Sequence, residues 1–181
     1  VAGIAASDAA DYLTTAVNGF GLAAEQAVEV ADKFAQLAAS SASSFEELAI
    51  AMSKVAPVAQ SAGISIDFMM GVLAKGIETT REAPENIGTA FKTVFARMRE
   101  ITDIGKATED GMSLNRVEKA LASVDIALRD SMGQFKNLDE VLMEVGYKWE
   151  NLTKIEQAYL ATALAGTRQQ PRLLAIFNDF E

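Results

Sequence analysis

The chain has 181 residues, of which 50% are hydrophobic and only 7% aromatic, and its 16 basic and 25 acidic residues give a formal net charge of −9. It contains no Cys and no His, which excludes disulfides, thiolate and imidazole metal sites, and the Ser-His-Asp and Cys-His catalytic arrangements. The acidic balance disfavours a phosphate-tracking nucleic-acid surface, and the low aromatic content is typical of closely packed helices rather than of a β-sandwich.

Four helices are predicted in the first half, because apolar residues recur at helical spacing between Gly- and Ser-rich breaks. The third begins after Ser43 or Ser44, each of which fits a capping box, and Pro57 is expected to kink or split it. Ser65 caps the fourth. The first, second and fourth cover roughly residues 5–17, 23–39 and 66–78, and the third continues to about residue 62.

Pro84 is suited to the first turn of a fifth helix. The apolar residues of this helix alternate spacings of four and three, which indicates a core-facing stripe or a coiled-coil seam of about two heptads: Ile87, Phe91, Val94, Met98 and Ile101. Its basic residues are interpreted as the solvent-facing side, with contact to DNA or an acidic partner as the alternative: Lys92, Arg97 and Arg99.

A polar loop is predicted over residues 103–113, and a sixth helix from about 114 to 123. The residues that follow leave two alternatives open. The sixth helix continues through Val124 and Leu128, or residues 124–136 alternate apolar and polar side chains in a small β-hairpin.

Three more helices are predicted in the rest of the chain. Asn137 starts the first, and Thr153 starts the second in a capping box with Glu156. Gly166 ends the second helix. The last helix carries four large apolar residues: Leu173, Leu174, Phe177 and Phe180. Trp149, the only tryptophan, is expected to anchor the core of the second half of the chain.

These patterns predict an all-α fold, a compact multi-helix module of short helices, to which the second alternative adds a small β-hairpin near residues 124–136. An Ala-rich helical subdomain, residues 1–80, and a more charged one, residues 81–181, are expected, either as two units or as one continuous domain. Because the chain starts at Val1 rather than Met, we expect it to be an excerpt of a longer protein.

Four features follow one another over Val124–Phe177. They are an apolar segment with an Asp-x-x-Gly turn, a helix ending at Lys148-Trp149, the Thr153 helix, and the string Gly166-Thr167-Arg168-Gln169-Gln170. In this order they resemble the core region of phage tail tape-measure proteins. That string is the most specific of them. Pro171 departs from the pattern, because a polar residue is expected there.

The resemblance implies a structural virion protein that takes part in tail length determination, tail assembly and genome ejection. It implies a place in the tail lumen or at the tail tip of the virion, and in the host cytoplasm during assembly. The implied partners are other copies of the chain about the tail axis and tail tube, baseplate or tail-tip proteins. No cofactor, metal or catalytic residue is predicted, and the chain is not expected to be an enzyme.

Helix length adds a physical limit to this interpretation. A ruler needs an extended rod, but the predicted breaks restrict every helix to about 30 Å at 1.5 Å per residue. We therefore expect this segment to be a helical anchoring or plug module rather than the ruler itself.

Two groups of residues are candidate contact sites. The first group is either a structural elbow or a contact with tail partners, and its members are Gly166, Thr167, Arg168, Gln169, Gln170 and Arg172. Within it, Arg168 is also suited to bond the last carbonyls of the preceding helix. The second is a candidate apolar contact, with core packing as the alternative: Phe68, Met69 and Met70. The adjacent carboxylate pairs are interpreted as solvated helix starts.

Two other functions stay open at the sequence level. One is a membrane-active helical module that aids DNA passage, with membrane contact during ejection. The other is a free-standing helical adaptor. Stable nucleic-acid binding is not expected, because like charges repel within about a Debye length.

Overall fold

The computed structural model describes residues 6–100 and 115–180. Within these ranges the chain forms α-helices and two short 3-10 turns, and no β-strand. The predicted all-α class is therefore confirmed. In chain order the helices are α1 (Ala6–Gly19), α2 (Ala27–Ser40), α3 (Phe45–Ser61), α4 (Ile66–Thr80), α5 (Pro84–Met98), α6 (Arg116–Ala122), α7 (Leu138–Lys148) and α8 (Lys154–Asn178).

The chain divides into two compact units, unit 1 (Val1–Lys92) and unit 2 (Thr93–Glu181). The boundary between them along the sequence falls inside α5. The division after residue 80 that the composition suggests stays a prediction. The predicted loop over residues 103–113 and the stripe residue Ile101 lie outside the described residues.

Short-range capping contacts set the helix starts in unit 1. Ser44, not Ser43, is the N-cap of α3, where its hydroxyl accepts a hydrogen bond from the Glu47 amide and the Glu47 carboxylate accepts one from the Ser44 amide. The Ser65 hydroxyl accepts from the Phe68 amide and starts α4 as predicted. These hydroxyls satisfy amides that have no partner within the helix.

Pro57 lies inside α3 and does not split it. An interior proline removes its own N–H donor, and its ring crowds the carbonyl group four residues earlier. The residues around it are fully buried and keep the helix in place through packing: Val55, Ala56 and Ala59. Of the two effects expected from Pro57, the split therefore does not occur.

Unit 1 is built around α3, which packs against α1, α2 and α4. The contact surfaces carry small residues, so the backbones approach closely. A Cβ atom on Gly19 would lie 2.7 Å from the Cβ of Ala56. A Cβ atom on Gly88 of α5 would collide with the carbonyl oxygen of Ala51. Glycine is required at both places, because no side chain fits into the contact.

Unit 2 packs α6 against α8, and α7 leads into α8 through the 3-10 turn Trp149–Asn151. Helix α6 ends at Ala122, so the alternative in which it continues through Leu128 is wrong. The predicted hairpin is reduced to one antiparallel bridge between Arg129 and Phe135. Its turn is closed by the Asp130 carboxylate, which accepts from the backbone amides of Met132 and Gln134 at 2.9 Å each.

Helix α8 starts at the predicted capping box of Thr153 and Glu156 and is broken at Gly166, which has φ 70° and ψ 166°. The helix therefore consists of two helical segments, residues 154–165 and 167–178. The break lies where the sequence predicts a helix end. The ψ angle of Gly166 differs from that of a residue in the left-handed helical conformation, which usually ends a helix. The second segment begins directly after this glycine.

Candidate functional site

The string of residues 166–170 forms a bend between the two segments of α8, which we name the elbow and which includes Arg172. Gly166 occupies a backbone region that is essentially restricted to glycine. The backbone leaves the helical path at Gly166, where φ is 70° and ψ is 166°. The last carbonyls of the first segment therefore need other donors.

Arg97 of α5 supplies one of these donors. Its Nε donates to the carbonyl oxygen of Ala163 at 2.8 Å, and its Nη1 lies 3.7 Å from the point where a Cβ of Gly166 would be. A cation at a helix C-terminus also interacts favourably with the helix dipole. Arg97 is half-buried, so its interpretation as part of a solvent-facing basic group is wrong.

The two glutamines of the elbow face inward. Gln169 is buried and accepts from Nη1 of Arg172 at 2.5 Å. Gln170 donates from Nε2 to the carbonyl oxygen of Ala158 at 3.1 Å, which joins the two segments across the bend. The bond from Gln170 holds the angle of the elbow, and the bond between Gln169 and Arg172 lies within the second segment.

The two remaining residues, Thr167 and Arg168, are exposed. Arg168 forms no hydrogen bond or ion pair within the described residues. The expectation that Arg168 bonds the last carbonyls of the first segment is wrong within the described residues. Arg168 follows the break at Gly166, and Arg97 already donates to the carbonyl oxygen of Ala163. The sequence does not indicate this role of Arg97, because Arg97 lies 66 residues before Ala163 in the chain.

An aromatic cluster fixes the second segment of α8. Trp149 is 1% exposed and stacks on Phe177 with ring centroids 4.8 Å apart. Its Nε1 donates to Oδ1 of Asn178 at 2.9 Å. Phe180 lies against Phe177 and fills the space above Gly146, where a side chain would collide with it. The predicted role of Trp149 as the core anchor is confirmed.

A second polar network holds the bridge region of unit 2. The buried Glu118 carboxylate accepts from the Asn115 amide at 2.8 Å and forms an ion pair with Arg129. The Arg129 guanidinium lies 4.4 Å from the centroid of the Phe135 ring, close enough for a cation–π contact. These contacts hold the turn in place.

Similarity to known proteins identifies the family of this chain. The sequence matches the family of phage-related minor tail proteins over residues 1–166. The chain belongs to this family. It is also similar to the tape measure protein of Pneumococcus phage Dp-1, with 28% identity over 179 residues.

The aligned region covers 97% of this chain but 14% of the Dp-1 protein. No solved structure matches the chain. The predicted resemblance to tail tape-measure proteins is confirmed, and membership of the family gives the chain a structural role in a phage tail.

The second candidate contact of this tail protein lies on α4 in unit 1. Met69 and Met70 are buried, as core packing requires, and Phe68 is half-buried. A partner contact at these three residues stays a prediction. Beside them α2 and α4 border an open groove of about 310 Å3.

Lys33 and Asp67 form an ion pair at the rim of this groove, with Nζ and Oδ1 2.9 Å apart. Lys33 also pairs with Glu29 of its own helix at 3.4 Å. The hydrogen bond with Asp67 is the main reason why the pKa of Lys33 is raised above its ordinary value. Lys33 is therefore charged at neutral pH and already neutralised by its acidic neighbours.

Across residues 6–100 and 115–180, no cluster of three or more acidic side chains is placed to hold a metal ion. Within the same ranges, none of the helices combines the length and the hydropathy that a bilayer span requires.

Proposed function

We propose that this chain is a compact helical module of a tape-measure-type tail protein, and that it anchors or plugs the tail through contacts with other proteins. The module lies in the tail lumen or at the tail tip of the virion. It acts in tail assembly and genome ejection, and it contributes to tail length by holding the longer protein in place. Its role is structural and not enzymatic.

The length of the helices is the observation that supports a module over a ruler. Helix α3, the longest unbroken helix in the described ranges, has 17 residues and spans about 26 Å at 1.5 Å per residue. Helix α8 has 25 residues but is broken at Gly166. Within unit 1, three helices pack around α3. A segment that folds back in this way contributes little to an extended rod.

The partners in this proposal are other tail proteins and further copies of the chain about the tail axis. The excess of 25 acidic over 16 basic residues repels DNA within a Debye length of about 10 Å at moderate salt, which suits a lumen through which DNA must pass. Retardation of DNA by the chain at low salt would contradict this part of the proposal.

An in-frame deletion tests the proposal in the full-length tail protein. If these 181 residues acted as a ruler, their removal would shorten the tail by up to about 270 Å, since a continuous helix rises 1.5 Å per residue. If they form an anchor or plug, the tails that still assemble keep their length, and the defect appears as a lower yield of closed tails. A deletion of equal size in an extended helical stretch of the same protein is the control.

A further inference from the structure

Gly71 differs from two other glycines inside the helices of unit 1, Gly19 and Gly88. Gly19 and Gly88 each lie against a neighbouring helix, and a Cβ atom on either would meet atoms of α3. A Cβ atom on Gly71, in the interior of α4, would meet nothing within 4 Å. Glycine destabilises a helix interior relative to alanine, and it allows another backbone to approach closely. Within residues 6–92, no contact accounts for this glycine.

Gly71 lies on the wall of the groove between α2 and α4. Leu37 and Met70 contribute apolar surface to the same groove, and Gln36 and Ser40 contribute polar atoms. An open groove that combines apolar and polar side chains with a glycine in its wall suits the face of a helix.

The charges around the groove limit what can bind in it. Lys33 is paired with Glu29 and Asp67, and Asp32 is an exposed acid on the same helix. Residues 1–92 carry 11 acidic and 5 basic groups, a net charge of −6. Complementary charge favours a basic partner, and the same surface of a second copy would be repelled.

We propose that the groove between α2 and α4 docks a helix of another tail protein, with an apolar face flanked by basic residues. Gly71 lets the backbone of that helix approach α4, and the net negative charge of unit 1 attracts the flanking basic side chains. The inference rests on the proposed anchoring function, because it names one surface through which the module is held. It also extends the candidate contact at residues 68–70 to the neighbouring groove.

Site-specific photo-crosslinking in purified tails tests this inference. A benzoylphenylalanine at Gln36, which lines the groove and is exposed, is activated in assembled particles, and the crosslinked peptides are sequenced. The expected product joins Gln36 to a helical segment of another tail protein that contains Lys or Arg on both flanks of an apolar stripe. A product with a second copy, a product with an acidic segment, or no product overturns the inference.

A bulky substitution adds a quantitative measure. Gly71→Leu should lower the crosslink yield by about 10-fold or more, because the new side chain occupies the space of the docked helix. The substitution is tolerated by the free chain, since no atom lies near the Cβ position, and a circular dichroism melt checks this. Ala10→Leu, at an exposed site on α1, is the matched control and should leave the yield unchanged.

The two proposals fail in different ways. If the chain is found inside assembled tails but Gln36 forms no crosslink to a basic helix, the groove inference is wrong and the anchoring function stands. If the chain is absent from purified tails, the anchoring function itself is wrong.

Discussion

Units 1 and 2 are both helical, but their helices are held together by different kinds of contact. In unit 1 the helices approach through small residues, as where Gly88 lies against the backbone of Ala51. In unit 2 an aromatic cluster around Trp149 packs beside polar side chains that bond helix carbonyls, among them Arg97 and Gln157. We therefore expect unit 1 to be sensitive to added bulk and unit 2 to the loss of a large or polar side chain.

The largest effect is expected from Trp149→Ala in unit 2. Removal of a fully buried aromatic side chain lowers the free energy of unfolding by about 3–5 kcal/mol, and here the stack on Phe177 and the bond to Asn178 are lost together. Urea denaturation followed by circular dichroism measures the change. Trp149→Phe, which keeps an aromatic ring beside Phe177, should cost clearly less. Equal losses for the two variants would show that the stack does not stabilise unit 2.

Gly88→Ala should give the next largest effect, in unit 1. The added methyl group meets a backbone carbonyl, which cannot rotate away, and overpacking of this kind costs about 1–3 kcal/mol. Gly71→Ala is the matched control, since alanine there meets no atom and should stabilise α4 by about 0.5–1 kcal/mol. The same chemical change is thus expected to act with opposite sign at two sites of one unit. Shifts of the same sign in urea denaturation would contradict the close contact at Gly88.

Arg97→Met tests whether a polar side chain that bonds a helix carbonyl stabilises unit 2. Loss of the bond from the guanidinium to the Ala163 carbonyl should cost about 1–2 kcal/mol, because the donor is charged but the side chain is only half-buried. Arg168→Met should change stability by less than about 0.5 kcal/mol, as for other exposed positions. If the two arginine variants had equal effects in urea denaturation, Arg97 would not be the residue that holds the elbow.

The smallest expected effect concerns pH and the start of α8. Hydrogen bonds from Thr153 hold the pKa of Glu156 below its ordinary value. The folded state thus binds this proton less readily than the unfolded state. The stabilisation is present above the ordinary pKa of a glutamate and is lost as the pH falls through the lowered pKa. Urea denaturation of the chain and of Glu156→Gln at neutral pH and near pH 4 should show a smaller loss in the variant.

Local signals made part of this structure predictable from the sequence. Ser65 and Thr153 start helices where the sequence places them, and Ser44 is one of the two starts that the sequence allows for α3, because each capping bond spans three residues. Gly166 likewise marks the break in α8. The segment after α6 fits two alternatives, because its apolar residues match both the helix period and the strand period.

Contacts between distant residues account for what the sequence could not give. The continuity of α3 through Pro57 depends on burial of the neighbouring residues in unit 1. The partner of the elbow, Arg97, comes from another helix, so a bond expected from Arg168 is formed elsewhere. The groove beside Gly71 depends on how α2 and α4 pack, which no spacing within either helix encodes.

Cryo-electron microscopy of the assembled tail tests the central claim most directly. The account predicts density for short, folded helices packed at the tail axis or tip, with α8 bent at Gly166. A single unbroken rod through this segment, or its placement outside the tube, would contradict the anchoring or plug function.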